Sequence, residues 1–546
     1  MVLELSVNRI SYLTNEGRKL CQFTTPDILA EAMAHWAITS ADDSILDPCC
    51  GNSNLLEKGM DRLLALGATP RKAARQTYGI EISARTARIA AANLLNKYGP
   101  SIPNVIKADF LKTKPGDIPL FTAIMCNPPY KRHQSLGKRY KTEIAKMTKQ
   151  ESGISVPMTS NQYVHFLFHS LSFLASGGRM VFLLPSQYLT NGFGRALRNF
   201  LGTVVRIHHV ILFDERLPVF PNSMSTASLI FVERSTPRLD WTTDFAKLDS
   251  VQAVSDYLRD EDRTEKVAAT VRTVPQRTLV RAEKWIGFFS KTAIQHGTKT
   301  LADIAEVKRG IATGANGFFF LTDTEAKANA IPLESLRPIL VRAHDAPYPD
   351  FGKWDWAELK REGKRVWMLD CRIQKQDLGD PNLLRYIESG EAMQYHKRYL
   401  TSHRNPWYRP EKRSPARILF TYMSNGRPRF IYNKGRILTS NAFHSVYPKW
   451  EISSDMTRLK ALLAFLNSSH TSSKLALIGR TYSGGLLKLE PSEAEAIPVP
   501  DLGTFGEENL QRLSKLFDDL CRECRRSGSW DTSEIDRLIR SLTKAA

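Results

Sequence analysis

The sequence has no apolar run long enough for a membrane-spanning helix, because no stretch of its 546 residues approaches about eighteen consecutive apolar side chains. Its first residues, MVLELSVNRISYL, also lack a basic region followed by an apolar core. Neither a membrane span nor a secretory signal is therefore predicted. We expect a cytoplasmic protein with no membrane partner.

Cysteine is also scarce. The chain has seven cysteines, an odd number, which argues against a disulfide framework. Cys521 and Cys524 form a lone C-x-x-C pair with no second pair nearby, and the adjacent Cys49 and Cys50 have poor geometry for a shared ion. We predict no metal site.

Acidic residues are outnumbered by basic ones. The chain has 56 Asp and Glu against 76 Lys and Arg, a formal net charge of +20. Clustered cations release counterions when they neutralise phosphates, so this surplus favours a polyanionic partner. Nucleic acid is the leading candidate, and a basic surface that binds nothing is the alternative.

Two segments concentrate the positive charge. Residues 131–150 contain seven Lys or Arg and one Glu, and residues 401–440 contain nine Lys or Arg and one acid. The second segment also carries interspersed aromatic residues: Trp407, Tyr408, Phe420, Tyr422, Phe430 and Tyr432. Cations interleaved with aromatics favour a nucleic-acid face, whereas a solvated basic loop is the alternative.

Apolar runs alternate with helical patterns over about the first 235 residues, which is typical of a doubly wound α/β fold with a mostly parallel sheet. Seven strands are predicted, at residues 43–49, 76–82, 103–110, 121–127, 178–185, 205–213 and 225–233. Helices are predicted between the first three strands and ahead of the first, where Pro26 and Asp27 form an N-terminal signature.

The chain is too long for one ordinary core, so we predict more than one domain. We assign residues 1–240 to the first domain, 241–500 to an α+β C-terminal domain and 501–546 to a terminal helical segment. The stretch from Ser235 to about Thr300 is polar and is predicted to be a linker with the edge of the second domain. The last helix is predicted to start with a capping box from Asp531 to Glu534.

The stretch AIMCNPPYKRH, residues 123–133, ends a buried strand in an unusual way. Proline has no N–H, fixes its own φ and biases the preceding residue away from the helical region. Asn127, Pro128 and Pro129 are therefore held extended and cannot continue a ladder of strand hydrogen bonds. The segment is predicted to be rigid and unpaired.

Three strands in succession end in groups suited to an adenosine. The first runs into the small-residue loop DPCCGNS, the second ends at Glu81, and the third ends at Asp109 and Phe110. A loop opening a helix offers backbone N–H groups, and a carboxylate at the second strand end can accept both ribose hydroxyls. The loop has no Lys-Ser/Thr pair for a polyphosphate. The alternative for any one acid is a simple helix cap.

In chain order, the motifs DPCCGNSNLL, YGIEIS, ADF, CNPPY and GGRMVFLLPSQYL resemble those of S-adenosylmethionine-dependent DNA adenine-N6 methyltransferases. The arrangement is similar to the gamma class, in which the target-recognition domain is C-terminal. Residues 307–321 and 462–500 resemble segments of the family's recognition domains. The likeness covers nearly the whole chain and is densest in residues 20–235.

The resemblance implies a role for each matching residue. Thr25, Pro26, Asp47, Cys49 and Gly51 would line the methionyl end of the cofactor, Glu81 and Ile82 would hold its ribose, and Asp109 and Phe110 its adenine. Asn127, Pro128, Pro129 and Tyr130 would receive the target base, with Asn127 also beside the cofactor, and Phe220 in Val219–Pro221 would be a second aromatic against the base.

The chain departs from the family at one position. The family's loop usually reads D-P-A-C-G-S-G, and Ser53 stands where the second glycine would be. If that position needs a positive φ, Ser53 carries modest strain, and the cofactor would bind more weakly or the loop would take another path.

The Asn-Pro-Pro-Tyr stretch fits the chemistry of adenine methylation. The exocyclic amine is a poor nucleophile, so acceptors such as the Asn127 side-chain oxygen and the Pro128 carbonyl would favour its reactive, pyramidal form. The base must leave the duplex at a cost of a few kcal/mol. Stacking is worth about 1–3 kcal/mol per base, so Tyr130 and Phe220 could offset most of that cost.

The expected function is therefore site-specific methylation of adenine in double-stranded DNA, as the modification enzyme of a restriction system in a bacterial or archaeal cell, with a restriction endonuclease as a separate-chain partner. An RNA adenine methyltransferase is the main alternative. A protein glutamine-N5 methyltransferase shares the four-residue motif but carries its extra domain before the core. A DNA-binding module without catalysis would need a broken pocket, and a cytosine-N4 enzyme would favour Ser at Asn127.

Overall fold

The computed structural model describes the chain except for residues 1–23, 132, 191, 193, 215–216, 218, 220–225, 237, 239, 260–269, 290–298, 483–485 and 545–546. It divides the chain into two compact units. The first comprises Met1–Ala293 with Thr481–Gly485, and the second comprises Ile294–Arg480 with Leu486–Ala546.

A nine-stranded sheet organises the first unit. Its strands are β1 (Ile45–Asp47), β2 (Thr77–Glu81), β3 (Asn104–Lys107), β4 (Phe121–Cys126), β5 (Leu174–Pro185), β6 (Arg206–Phe213), β7 (Ala227–Glu233), β8 (Thr242–Leu248) and β9 (Thr270–Pro275). They lie in the order β3-β2-β1-β4-β5-β7-β6-β8-β9. The first five strands in this order are parallel to one another, whereas β7 is antiparallel to both β5 and β6. The predicted α/β fold with a mostly parallel sheet is confirmed.

Helices cover both faces of this sheet. They are α1 (Asp27–Ala37), α2 (Asn54–Ala65), α3 (Pro70–Gln76), α4 (Ala84–Tyr98), α5 (Lys138–Ser152), α6 (Gln162–Ser170), α7 (Gly194–Val204), α8 (Ala253–Arg259) and α9 (Gln276–Arg281). Along β4, Ala123 and Met125 join the core with α1 and α2, whereas Ile124 and Cys126 join the core with α6 and α7. Alternate side chains of a strand point to opposite faces, which is why its sequence reads as a continuous apolar run.

The sheet continues beyond residue 240, where we expected the first domain to end. Strands β8 and β9 lie in the stretch that the polar composition had suggested was a linker. Their buried polar side chains are hydrogen-bonded within the sheet, since the Thr243 hydroxyl donates to the Ile207 carbonyl at 2.7 Å and the Thr273 hydroxyl donates to Asp244 at 2.7 Å. Polar residues can be buried in a strand when their side chains are hydrogen-bonded, so polar composition alone does not exclude a strand.

The second unit combines short strands with helices. Its strands are β10 (Ala305–Arg309), β11 (Phe320–Leu321), β12 (Leu336–Leu340), β13 (Asp350–Phe351), β14 (Trp367–Leu369), β15 (Ile418–Phe420), β16 (Met423–Ser424), β17 (Phe430–Asn433), β18 (Leu438–Thr439), β19 (His444–Pro448) and β21 (Leu486–Lys488). Strand β20 (Arg480–Tyr482) begins in this unit and ends in the Thr481–Gly485 segment assigned to the first unit. One sheet has the order β10-β19-β15-β17-β13 and another β11-β14-β12-β18.

The helices of this unit are α10 (Leu301–Ile304), α11 (Asn316–Phe319), α12 (Asp323–Ala328), α13 (Lys353–Arg361), α14 (Pro381–Ala392), α15 (Tyr399–Ser402), α16 (Trp450–Ser453), α17 (Met456–Leu466), α18 (Ser469–Ile478), α19 (Pro491–Glu495), α20 (Glu507–Ser527) and α21 (Ser533–Lys544). Leu513 and Phe517 of α20 share a core with Leu459 and Leu462 of α17. The terminal helices therefore belong to the core of the second unit and do not form the separate segment predicted for residues 501–546.

The start of the last helix differs from the predicted capping box. Helix α21 begins at Ser533, and the Asp531 carboxylate accepts the Ser533 backbone N–H at 2.9 Å. Asp531 therefore stabilises the turn before the helix rather than pairing with Glu534.

The aromatic residues of the basic segment 401–440 mostly lie in the core. Phe420 and Phe430 have no exposed surface and stack with their ring centroids 4.3 Å apart, and Tyr408 and Tyr432 are buried as well. The prediction that these rings line a nucleic-acid face is wrong for these four residues, because their side chains are buried in the hydrophobic cores of the second unit. Tyr422 and Trp407 remain partly exposed.

No helix in the part of the chain that the structure describes is both long enough and apolar enough to span a membrane.

Candidate cofactor and target-base site

The loop after β1 is held by the neighbouring strand ends. Its Cys50 backbone N–H donates to the Ile80 carbonyl of β2 at 2.9 Å. The Gly51 N–H donates to Glu81 at 3.2 Å, and Gly51 has a φ of +52°. Glycine adopts such a conformation without the steric cost that a Cβ would bring. The loop therefore turns tightly and presents backbone to the space above the strand ends.

Ser53 adopts the left-handed conformation that its position in the motif suggested. Its φ is +89° at the residue that precedes α2. Its hydroxyl donates to Glu57 at 2.8 Å, one turn along that helix. Ser53 thus takes the positive φ expected at the glycine position, and the hydrogen bond offsets part of the cost of that φ.

Glu81, at the end of β2, accepts hydrogen bonds from two backbone N–H groups. One carboxylate oxygen accepts the Gly51 N–H, and the other accepts the Ser83 N–H at 2.8 Å. The side chain is only 1% exposed, whereas the adjacent Ile82 is 49% exposed. Glu81 therefore fixes the loop relative to the second strand, and Ile82 offers apolar surface beside it.

Asp47 is a buried acid at the end of β1. Burial, with a smaller contribution from the charge of Glu81, raises the pKa of Asp47 to about 8, although the hydrogen bond from the Cys49 N–H opposes the shift. Among the described residues, no Lys, Arg or His forms an ion pair with Asp47. A desolvated carboxyl of this kind is suited to a ligand that brings its own positive charge.

Thr25 connects the cofactor loop with the Asn-Pro-Pro-Tyr stretch. Its carbonyl accepts the Asn54 side-chain N–H at 2.6 Å, and its hydroxyl oxygen accepts the Asn127 side-chain N–H at 3.1 Å. The Cys49 thiol donates to the Asn127 carbonyl at 3.3 Å. Pro26 follows Thr25 and precedes α1. Thr25 thereby orients the Asn127 side-chain amide, and Cys49 contacts the backbone carbonyl of the same residue.

The two prolines and Tyr130 follow directly after β4. Pro128 is buried, and Pro129 and Tyr130 are partly exposed. The Tyr130 hydroxyl donates to the Leu183 carbonyl of β5 at 3.2 Å. This bond anchors one end of the ring at the edge of the sheet, so the predicted rigidity of the stretch extends to the aromatic side chain.

The third strand end brings in a residue that the sequence did not single out. The Asp109 carboxylate accepts the Leu111 N–H at 3.2 Å and the Tyr140 hydroxyl at 3.3 Å. Tyr140 belongs to α5, the helix of the basic segment 131–150. Only the spacing of apolar residues on that helix could have indicated Tyr140 from the sequence.

The ring of Phe110 packs into the core. It is 2% exposed and contacts Phe166, His169 and Phe173 with centroid distances of 5.6, 4.7 and 5.3 Å. This packing stiffens the strand end and leaves little of the ring accessible. Its contact with the adenine of a cofactor remains a prediction.

Helix α5 is also fastened to the core behind this strand end. The Glu151 carboxylate lies 2.8 Å from Nδ1 of His169, and Nε2 of His169 lies 3.0 Å from the Phe110 carbonyl. Further along, the Thr148 hydroxyl lies 2.8 Å from Nδ1 of the buried His165. The basic helix is thus connected to the segment that carries Asp109 and Phe110.

Asp47, Cys49 and Cys126 place ligand-type atoms within 4.8 Å of one another. The two sulfur atoms lie 3.5 Å apart. A metal would need both thiols deprotonated. Burial raises the pKa of Cys126 to about 11, and the hydrogen bond with Cys126 together with burial raises the pKa of Cys49. The cluster is therefore better suited to packing than to ion binding.

The predicted second aromatic, Phe220, and Pro221 lie outside the described residues. Val219, the first residue of that motif, is 7% exposed and packs in the core beside α1 and α2. The role of Phe220 remains a prediction. The remaining predicted site residues lie at the carboxyl ends of β1, β2, β3 and β4 or in Thr25–Pro26.

The fold and the strand-end groups together define an S-adenosylmethionine-dependent methyltransferase. The parallel strands place an acid at three neighbouring ends, and the uncompensated buried Asp47 fits the cationic end of that cofactor. Residues 9–285 match the family described as N-6 DNA Methylase, which is half of the chain, and the chain belongs to that family. It is a DNA adenine-N6 methyltransferase with S-adenosylmethionine as cofactor. Residues 278–529 match the C-terminal domain of type II methyltransferase M.Eco57I.

Individual relatives extend the likeness over most of the chain. Type II methyltransferase M.AccI of Acinetobacter calcoaceticus is 27% identical, over 92% of this chain and 89% of its own. M.XamI of Xanthomonas campestris pv. amaranthicola is 24% identical, over 88% and 84%. Among solved structures, the type IIL restriction-modification enzyme MmeI in complex with DNA has a TM-score of 0.58 at 12% identity and spans 95% of this chain and 71% of its own. At that identity the likeness concerns the fold.

Proposed function

We propose that the protein methylates N6 of a flipped-out adenine at a defined sequence of duplex DNA, as the modification enzyme of a restriction-modification system. One observation carries the proposal: Thr25 and Cys49 join the cofactor loop to Asn127 by hydrogen bonds. The residues suited to the methyl donor and those suited to the acceptor base therefore form one connected site.

The geometry supports a positioning role for the Asn-Pro-Pro-Tyr stretch. Donation from the Asn127 side chain to Thr25 orients the amide and therefore directs its oxygen. That oxygen and the Pro128 carbonyl are the acceptors for the two amino hydrogens of the target adenine, which increases the nucleophilicity of the nitrogen. Acceptors held in place before the base arrives need no reorganisation during the reaction.

The cofactor supplies, when bound, a methyl group on a positively charged sulfur. The chain's part is to hold the nitrogen in line with that methyl group and to exclude water from the reacting atoms. With the cofactor bound, its methyl group would move to the adenine nitrogen while the sulfur keeps the electron pair of the broken sulfur–carbon bond, and the nitrogen would release one proton to solvent only after the methyl group has moved and the site has opened. No general base is required among the side chains of this site.

Several residues are assigned to holding the flipped base in this proposal. The Tyr130 ring, anchored by its hydroxyl to Leu183, provides a face for stacking, and Phe220 provides the second. The cations of α5 are suited to the neighbouring phosphates, because Lys138, Arg139 and Lys141 are clustered on the first turn of that helix.

The names of the relatives support the biological role. M.AccI and M.XamI are described as type II methyltransferases. We assign target recognition to the second unit, in the C-terminal position of the gamma arrangement. The role implies a restriction endonuclease on a separate chain that cleaves the same sequence.

Labelled S-adenosylmethionine and duplex DNA test the proposal directly. We expect the label to appear on adenine within one short sequence, which sequencing of the treated DNA would identify. An equimolar RNA of the same sequence is the control. Label on RNA, on protein glutamine, or on DNA regardless of sequence would contradict the proposal.

A further inference from the structure

The second unit contains a cavity whose lining includes none of the residues assigned to the cofactor and target-base site. Its volume is about 370 Å³, within the range of ligand-binding clefts. It is lined by Asn316, Phe320, Val341, Arg342, Arg365, Tyr422, Met423, Ser440, Asn441 and Ala442. The lining contains two arginines and no acid, so the cavity favours an electron-rich or anionic partner.

Two of these side chains have hydrogen-bonding capacity to spare. Among the described residues, neither the Arg342 guanidinium nor the Asn441 side-chain amide makes a hydrogen bond or an ion pair. Arg365, by contrast, lies 3.4 Å from Glu325. Arg342 is exposed and Asn441 is partly exposed. Both can therefore reach a ligand without first breaking an internal contact.

The backbone of Asn441 is held in place by hydrogen bonds. The Asn441 N–H donates to the Ile311 carbonyl at 2.9 Å, and the Asn441 carbonyl accepts the Tyr422 hydroxyl at 3.0 Å. The Tyr422 ring in turn stacks on His444 with centroids 3.9 Å apart. Because this backbone is fixed before binding, only the Asn441 side chain has to be ordered when a ligand binds.

The chemistry of the lining matches the edges of DNA base pairs. Arginine donates two hydrogen bonds to N7 and O6 of guanine, and asparagine pairs with N6 and N7 of adenine. Apolar side chains such as Val341 and Met423 are suited to a thymine methyl group. A phosphate also accepts hydrogen bonds from guanidinium and amide groups, but it gains nothing from the apolar lining.

We propose that this cavity reads bases of the target sequence, with Arg342 selecting a guanine and Asn441 an adenine. The proposal rests on the proposed function, because it assigns specificity to a DNA methyltransferase. It names the residues by which the second unit would distinguish one sequence from another.

The test is methylation of a duplex library in which each position of the target sequence is varied. Arg342→Ala is expected to lose about 5- to 150-fold of the discrimination at one guanine position and to leave the other positions unchanged. Asn441→Ala is expected to relax a different position, at an adenine. Arg342→Lys should also relax the guanine position, because lysine lacks the two-pronged donor.

Arg337→Ala is the matched control. Arg337 is an exposed arginine of β12 that lies 3.6 Å from Asp370 and does not line the cavity. It should keep the full wild-type specificity. Thermal unfolding of each variant verifies that the second unit remains folded.

Two results would overturn the inference. Unchanged specificity in Arg342→Ala and Asn441→Ala would show that the cavity does not read bases. A fall in rate that is equal for all sequences, with a weaker dependence on salt, would show that Arg342 contacts phosphate instead. Wild-type protein that methylates no defined sequence would refute the proposed function itself, which the library reports separately.

Discussion

The raised pKa of Asp47 predicts that cofactor affinity depends on pH. With a pKa of about 8, about nine-tenths of the Asp47 carboxyl groups are protonated in the free protein at pH 7. A cofactor whose ammonium group lies beside Asp47 favours the charged carboxylate. Binding therefore releases about 0.9 proton at pH 7, and the affinity rises about tenfold per pH unit below the pKa and levels off above it.

The raised pKa of Asp47 also makes the free energy of unfolding depend on pH. In the unfolded chain Asp47 has the ordinary aspartic acid pKa of 3.8, whereas the folded chain retains the proton up to about pH 8. The free energy of unfolding is therefore highest below pH 3.8 as far as this group is concerned, and it falls as pH rises to 8. At pH 7 the loss is about 4 kcal/mol as an upper bound, at about 1.4 kcal/mol per pKa unit.

Isothermal titration calorimetry in two buffers of different ionisation enthalpy measures the released proton. Asp47→Asn should remove both the proton release and the pH dependence, weaken cofactor binding, and raise the stability of the free protein at pH 7 by about 1–4 kcal/mol. Asp42→Asn is the control, since this carboxyl is 80% exposed. Affinity that does not vary from pH 6 to 8 in the wild-type protein would refute the reasoning.

Three further predictions concern single residues. Asn127→Ala should lower the methyl-transfer rate at least about 100-fold while cofactor and DNA binding persist, as single-turnover assays would show; retained activity would contradict the assigned role. Tyr140→Phe should raise the cofactor dissociation constant about 2- to 10-fold through loss of the hydroxyl that orients Asp109, and an unchanged constant would remove Tyr140 from the site. Ser53→Gly should be about 1 kcal/mol more stable in urea than Ser53→Ala, because only alanine keeps a Cβ at φ +89°; equal stabilities would show that the loop relaxes.

Much of the catalytic unit was predictable from the sequence. Strands β1 to β7 each lie within a predicted strand or overlap it, because buried parallel strands read as short apolar runs separated by helical patterns. The positive φ of Ser53 followed from its place in a motif that normally has glycine. Local spacing and motif order carry this information directly.

The wrong predictions are those that inferred exposure or a linker from residue composition alone. The polar composition of β8 and β9 predicted a linker. These strands are nevertheless part of the sheet, because Thr243 and Asp244 form their hydrogen bonds inside it. The aromatic residues of segment 401–440 looked like an interface, yet Phe420 and Phe430 lie in the core. The sequence does not state which neighbours a polar or aromatic side chain will meet.

The sequence by itself determined the class of fold, the rigid Asn127–Tyr130 stretch and the acids at the ends of neighbouring strands, because these depend on local backbone constraints and on the period of apolar residues. Only the tertiary structure decided that Thr25 orients Asn127, that Tyr140 contacts Asp109 and that burial shifts the pKa of Asp47. These features join residues separated by 102 and 31 positions in the chain, or depend on the loss of water from all sides of a group. Such contacts form only when the chain is folded.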